Sequence, residues 1–259
     1  METNPRFARQ IIYGPVKSRR LGNSLGINLM PGSAKVCSFD CIYCECGLND
    51  NKIGQMPKQD DIKQALKKAL EVLKEEKKPL DSITFSGNGE PTLHPDFEAI
   101  INSAIALRNQ NFPQAKISVL SNSTLIDKPD IFRALSKVDN NILKLDSAIE
   151  DTMRIIDQPN RASFTVKWML KHLKEFEGNL IIQTIFISGE YKGKHFDNTT
   201  DEEVTALINA YKEIKPKSIM IYALDRPAPV EKLDKIPLSK LKEIAERLEA
   251  EGFEVIVSA

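Results

Sequence analysis

From Gly26 onward, short runs of β-branched and other apolar residues alternate with longer stretches in which apolar residues return every three or four positions. The short runs suit strands buried on both faces, and the long ones suit helices with a single buried stripe. Strands are predicted over 26–29, 82–86, 116–120, 142–147, 180–187 and 218–224. Helices are predicted over 61–77, 96–108, 129–136, 163–176, 201–214 and 238–251. In the first helix Ile62, Leu66, Ala69, Leu70 and Leu73 form the stripe, with Asp60 and Asp61 suited to its N-terminal cap.

Strand followed by helix, repeated, implies right-handed crossovers: a curved parallel sheet with helices outside and functional loops at the strand C-terminal ends. The predicted fold is α/β, a six-unit parallel (β/α)6 partial barrel in a single domain. Residues 1–25 form an N-terminal lead-in and 26–237 the barrel. Residues 238–259 add a helix and an edge strand over 253–257, packed on the barrel.

Composition narrows the function classes. Hydrophobic content of 41% with 28% charged residues describes a globular chain able to bury a core. Lysine plus arginine and aspartate plus glutamate both number 36, so no long-range field favours nucleic acid or anionic lipid, and RNA binding requires a local patch. No apolar run approaches the roughly 20 residues of a membrane helix. The first ten residues lack the apolar core of a secretory signal. A cytoplasmic protein without a membrane partner is expected.

All four cysteines fall between positions 37 and 46. Such crowding cannot staple distant parts of a fold and suits ligation in a reducing compartment. Cys37, Cys41 and Cys44 have C-x3-C-x2-C spacing in the connection between the first strand and first helix. Three thiolates can hold a cubane with one iron open to an exogenous ligand. The competing reading is a structural zinc site with Cys46 as fourth thiolate; in the cluster reading Cys46 is a bystander.

This spacing, with Tyr43 before the last cysteine, resembles the signature of the radical S-adenosylmethionine (SAM) superfamily. The resemblance implies a [4Fe–4S] cluster on Cys37, Cys41 and Cys44, SAM on the open iron, and Tyr43 beside the adenine. Gly87, Asn88, Gly89 and Glu90, at the end of the second strand, match that family's motif for the methionine ammonium. Ser121 and Asn122 close the third strand as further cofactor-facing candidates. Lys144 and Asp146, two apart on the fourth strand, share one face. They form a mutual ion pair or, by the resemblance, take the SAM carboxylate and ribose hydroxyls. Tyr222 and Leu224 border the adenine by the same resemblance, or are core packing.

The segment from Tyr13 to Gly22, the Gly-Asn-Gly-Glu-Pro-Thr phrase and Leu224-Asp-Arg-Pro227 resemble the branch containing tRNA wyosine-synthesis enzymes. The additional cysteines of the archaeal members are missing. Arg226 is a substrate-anion candidate or a loop salt bridge, and His195 sits in a charged loop. The implied activity is reductive cleavage of SAM to a 5′-deoxyadenosyl radical, which takes hydrogen from an unidentified substrate, a small metabolite or an RNA nucleobase. The electron would come from a donor such as flavodoxin or ferredoxin. A glycyl-radical enzyme activase and a non-enzymatic, zinc-stabilised binding protein are the other readings.

Overall fold

The computed structural model describes residue 8 and residues 10–49 and 54–258. Within the lead-in, residues 1–7 and 9 lie outside the described residues, as does residue 259 of the C-terminal segment. The chain divides into two compact units.

The first unit comprises Met1–Cys37, Asn49–Ser121 and Leu125–Asn141. Strand β1 (Ile12–Ser18) pairs antiparallel with β2 (Gly22–Ile27), and β3 (Ser82–Phe85) and β4 (Lys116–Ser121) follow in parallel. Leu25, Ile27, Ile83, Phe85, Ile117 and Val119 are almost wholly buried. So are Ile62, Leu66 and Leu70 of α1 (Gln59–Glu75) and Phe97, Ile100 and Ile101 of α2 (Phe97–Asn111). Alternate positions on these strands are hydroxylic and satisfy one another: Ser24 bonds Thr84 at 2.6 Å, and Ser82 bonds Thr84 at 2.9 Å and Ser118 at 2.8 Å. A buried polar row of this kind is tolerated because each hydroxyl both donates and accepts. Helix α3 (Pro129–Ser136) begins on a proline whose missing N–H costs nothing there.

The second unit holds Ser38–Leu48, Asn122–Thr124 and the chain from Ile142 onward. Its parallel strands are β5 (Asn140–Lys144, the last three residues in this unit), β6 (Ile181–Tyr191), β8 (Ser218–Ala223) and β10 (Val255–Ser258), in the order β5-β6-β8-β10. The far half of β6 leaves this sheet and pairs antiparallel with β7 (Lys194–Asp197) and β9 (Leu233–Lys235). Helices α4 (Glu150–Asp157), α5 (Val166–Lys174), α6 (Asp201–Ile214) and α7 (Leu238–Ala250) complete the unit.

Each predicted strand overlaps an observed one, and the run over 253–257 becomes β10, so seven parallel strands rather than six are present among the described residues. The strand expected over 26–29 begins at Gly22, inside the lead-in, where glycine and asparagine hide the pattern. The helix expected over 163–176 starts later, at Val166, because the Thr165 hydroxyl accepts from the Trp168 amide and caps it. Asp60 and Asp61 lie in the first turn of α1, where they complement its dipole rather than cap it.

Candidate functional site

In the first unit the Gly-Asn-Gly-Glu turn fastens the base of the cysteine loop. Val36, which precedes Cys37, donates its N–H to the Asn88 carbonyl at 2.9 Å, and its own carbonyl accepts from the Glu90 N–H at 3.0 Å. Gly89 has φ +140°, and a Cβ there would stand 1.8 Å from the Val36 carbonyl oxygen. Only glycine permits that approach. Asn88 is fully buried, and its side-chain amide donates to the carbonyls of Ala8 and Pro31 at 2.9 and 2.8 Å. Glu90, also buried, accepts from the Thr92 amide at 3.0 Å and the Thr92 hydroxyl at 2.6 Å, capping a single 3-10 turn. Ser121 is buried at the end of β4. Asn88 and Glu90 thus bond neighbouring parts of the chain.

In the second unit the rest of the cysteine loop rests on the end of α4. The Asp40 N–H donates to the Asp157 carbonyl at 3.1 Å, the Ile42 N–H to Ile156 at 3.0 Å, and the Asn160 N–H to Ser38 at 3.0 Å. Two tight turns follow, Cys44 N–H to the Cys41 carbonyl at 3.1 Å and Gly47 N–H to the Cys44 carbonyl at 2.9 Å. Asn122 donates to the Ser38 hydroxyl at 2.9 Å and accepts from Thr124, fixing the loop from a second side.

Lys144 is the hub of this region. Its ammonium lies 3.0 Å from Asp146, 3.5 Å from Asp157 and 3.4 Å from the Cys41 sulfur, and also bonds the Tyr43 hydroxyl. Tyr43 in turn donates to Asp146 Oδ2, the same oxygen that Lys144 meets, at 2.5 Å. Asp146 lies beyond the end of β5, held by the Ile185 N–H on its Oδ1 at 3.1 Å, while Asn198 grips its backbone carbonyl at 2.8 Å. Burial pulls the Lys144 pKa down, but Asp146, Cys41 and Asp157 outweigh it and hold it well above its usual value. Burial, then Asp146, push Tyr43 up. Burial and the neighbouring Asp146 likewise push Asp157 well above the carboxylate range. One Asp157 oxygen is buried without a partner.

The mutual Lys144–Asp146 ion pair weighed from the sequence is therefore formed. Tyr222, near the end of β8, is half-buried and within electrostatic reach of Tyr43 and Lys144; Leu224, just past that strand, is half-buried. Arg226 makes the loop salt bridge, donating to Glu45 at 2.7 Å. His195 lies on β7, 84% exposed, at 4.0 Å from Glu190. Asp157, in the last turn of α4, was missed by sequence reasoning because only the tertiary fold brings it to Cys41 and Lys144.

None of the four cysteines forms a disulfide. Among the described residues, no three His, Cys, Asp or Glu side chains already surround one metal position. The donor set nevertheless fits an iron–sulfur cluster: soft sulfur ligands at C-x3-C-x2-C spacing, one of them beside an ammonium that favours its thiolate.

The Radical SAM superfamily model matches residues 33–192, and the chain belongs to that superfamily. It is a radical SAM enzyme domain. Nearer relatives include a UPF0026 protein of Methanocaldococcus jannaschii, 32% identical over 233 residues that cover 88% of this chain and 67% of that protein. A Brachyspira hyodysenteriae protein named GTPase Obg is 30% identical over 237 residues, covering 89% of this chain but 32% of its own length. The chain thus spans about a third of one of these relatives and about two thirds of the other. Among solved structures, Streptococcus suis SuiB bound to S-adenosylmethionine superposes with a TM-score of 0.63 at 16% identity, covering 87% of this chain and 49% of that one. TYW1 with a lysine–pyruvate adduct bound gives 0.59 at 18%, covering 88% and 73%. These likenesses show the α/β partial-barrel fold.

Proposed function

We propose that the protein binds one [4Fe–4S] cluster through Cys37, Cys41 and Cys44 and uses it to cleave SAM reductively. The carrying observation is the buried hub of Lys144, Asp146 and Asp157 against the Cys41 sulfur, since charged groups are kept at such depth only when paired with each other or with a ligand. When bound, cluster and SAM together supply a carbon radical able to take hydrogen from a substrate. Cys37, Cys41 and Cys44 hold the metal. Lys144 is placed to receive the SAM carboxylate and Asp146 the ribose hydroxyls, with Tyr43, Tyr222 and Leu224 beside the adenine. The Gly87–Glu90 turn, Ser121 and Asn122 line the methionine end. Arg226 sits by the substrate. The electron comes from a flavodoxin- or ferredoxin-type donor, and the substrate is a small metabolite or an RNA nucleobase. No helix among the described residues is long and apolar enough to cross a membrane; cytoplasmic residence follows from the oxygen-sensitive chemistry proposed.

Anaerobic reconstitution tests the reading. About four irons and four sulfides per chain are expected, with slow release of 5′-deoxyadenosine from SAM after reduction. Cys37→Ala, Cys41→Ala and Cys44→Ala should abolish both, and Cys46→Ala should keep them. One tightly held zinc with no iron uptake would sink the proposal.

A further inference from the structure

The second unit carries a groove that the cofactor reading leaves unused. It encloses about 760 Å³ along α5, with Thr165, Lys167, Trp168, Lys171 and Lys174 among its lining residues. Helical spacing divides α5 cleanly: Val166, Met169 and Leu173 are buried, while Lys167, Lys171 and Lys174 are exposed. The rings of Phe164, Trp168 and His172 follow one another at centroid distances of 5.2 and 4.5 Å. The Arg161 guanidinium caps the indole at 5.1 Å from its centroid.

The charges beside this groove are only partly balanced within the chain. Neighbouring cations are neutralised: Lys174 bonds Glu213 at 2.9 Å and Arg154 bonds Glu150 at 2.6 Å. Arg161, Lys167 and Lys171 have no carboxylate partner among the described residues. Three uncompensated cations beside a half-exposed, guanidinium-capped indole call for a partner with regularly spaced anions and flat rings. A single-stranded polynucleotide supplies both, its phosphates to lysine and its bases to arginine and aromatic planes. An acidic polypeptide supplies only the charge.

We propose that the α5 groove binds single-stranded nucleic acid, with Lys167 and Lys171 on phosphates and a base stacked against the Arg161–Trp168 pair. The segment leading into α5 is the one that pins the cysteine loop, through the Asn160–Ser38 bond of 3.0 Å and the Phe39–Pro159 bridge. A strand held in the groove therefore lies on the same support as the cysteine loop. The proposal stands independently of cluster and SAM.

Trp168 is the chain's one tryptophan, so emission excited selectively at the indole, and not at the five tyrosines, reports this groove. The full chain is titrated with oligo(U) or oligo(dT) of about 12 nucleotides, and separately with a polyglutamate peptide of matched charge. Saturable quenching by an oligonucleotide is expected, with half-saturation at or below about 100 µM. Two phosphate contacts should weaken binding roughly sevenfold between about 50 and 200 mM salt. Either oligonucleotide supports the proposal, and their ratio distinguishes RNA from DNA. The Lys167→Glu/Lys171→Glu variant, altered only at exposed positions, should lose at least about tenfold in affinity, as two phosphate contacts imply. Its circular dichroism and its substrate-free SAM cleavage should be unchanged, which separates failure here from failure of the cofactor reading. No quenching, quenching by polyglutamate as strong as by either oligonucleotide, or undiminished binding of labelled oligonucleotide to the double variant would overturn it.

Discussion

At the scale of single residues, the sharpest demand falls on Gly89. Any side chain there meets the Val36 carbonyl, so Gly89→Ala must push Val36, and Cys37 with it, away from the turn. Reconstituted Gly89→Ala protein should hold well under half the iron of the parent by colorimetric assay. Gly193→Ala is the matched control: it shares a positive φ of +76° but has nothing within 4 Å of the added Cβ, so its iron content should be unaltered. Asp146 makes a different demand. If it receives the ribose, Asp146→Asn should weaken SAM roughly ten- to hundredfold in anaerobic calorimetry, the usual weight of a hydrogen bond to a charged group. Normal affinity in a folded, iron-replete variant would exclude that role.

At the scale of elements, Asp139 ties three pieces of the first unit together. Its carboxylate accepts from the Ile117 amide of β4 at 2.9 Å and pairs with Arg108 of α2 at 2.8 Å, just before β5 begins. Burial pulls its pKa up, but those bonds and nearby Lys116 outweigh it, and the carboxyl sits below its ordinary value. The stability it lends is thus complete above the unfolded-state pKa and is lost as pH falls through the folded one. Asp139→Asn should cost about 1–3 kcal/mol near pH 7 in urea unfolding, and the gap from the parent should narrow as pH drops below about 4. Neither this tie nor helix α4 could be read from the sequence. Pattern revealed strands dense in apolar residues, as in the unbroken run Ile219–Leu224, and the helices that show a stripe or an N-terminal signal. The hairpin of β1 and β2 is rich in glycine and polar residues, and α4 lacks the N-terminal proline that announces the equally short α3. The cysteines were legible because ligand spacing is local, whereas Asp157 and Asn198 reach the site only through tertiary folding.

At the scale of the whole molecule, balanced charge conceals local imbalance: the cations of α5 are uncompensated, whereas Arg133 and Lys137 converge on Glu98, whose carboxyl those hydrogen bonds pull down to about 2. Net charge excluded a global field but could not locate a patch. One further feature bears on how the protein is made. The cysteine loop is pinned by the end of α4, and Cys41 and Asp157 stand 116 residues apart in sequence. At about 5–20 residues per second, a ribosome needs roughly 6 to 23 seconds to supply that anchor after Cys41 is made. Throughout that interval the loop lacks its α4 support and has only the contacts that the Asn88–Glu90 turn and Asn122 can give it. Maleimide labelling of chains stalled at increasing lengths should find Cys41 reactive until the segment through Asn160 has emerged, and then shielded to match its 7% exposure in the folded chain. The loop thus gains its last anchor only when the second unit closes over its own beginning.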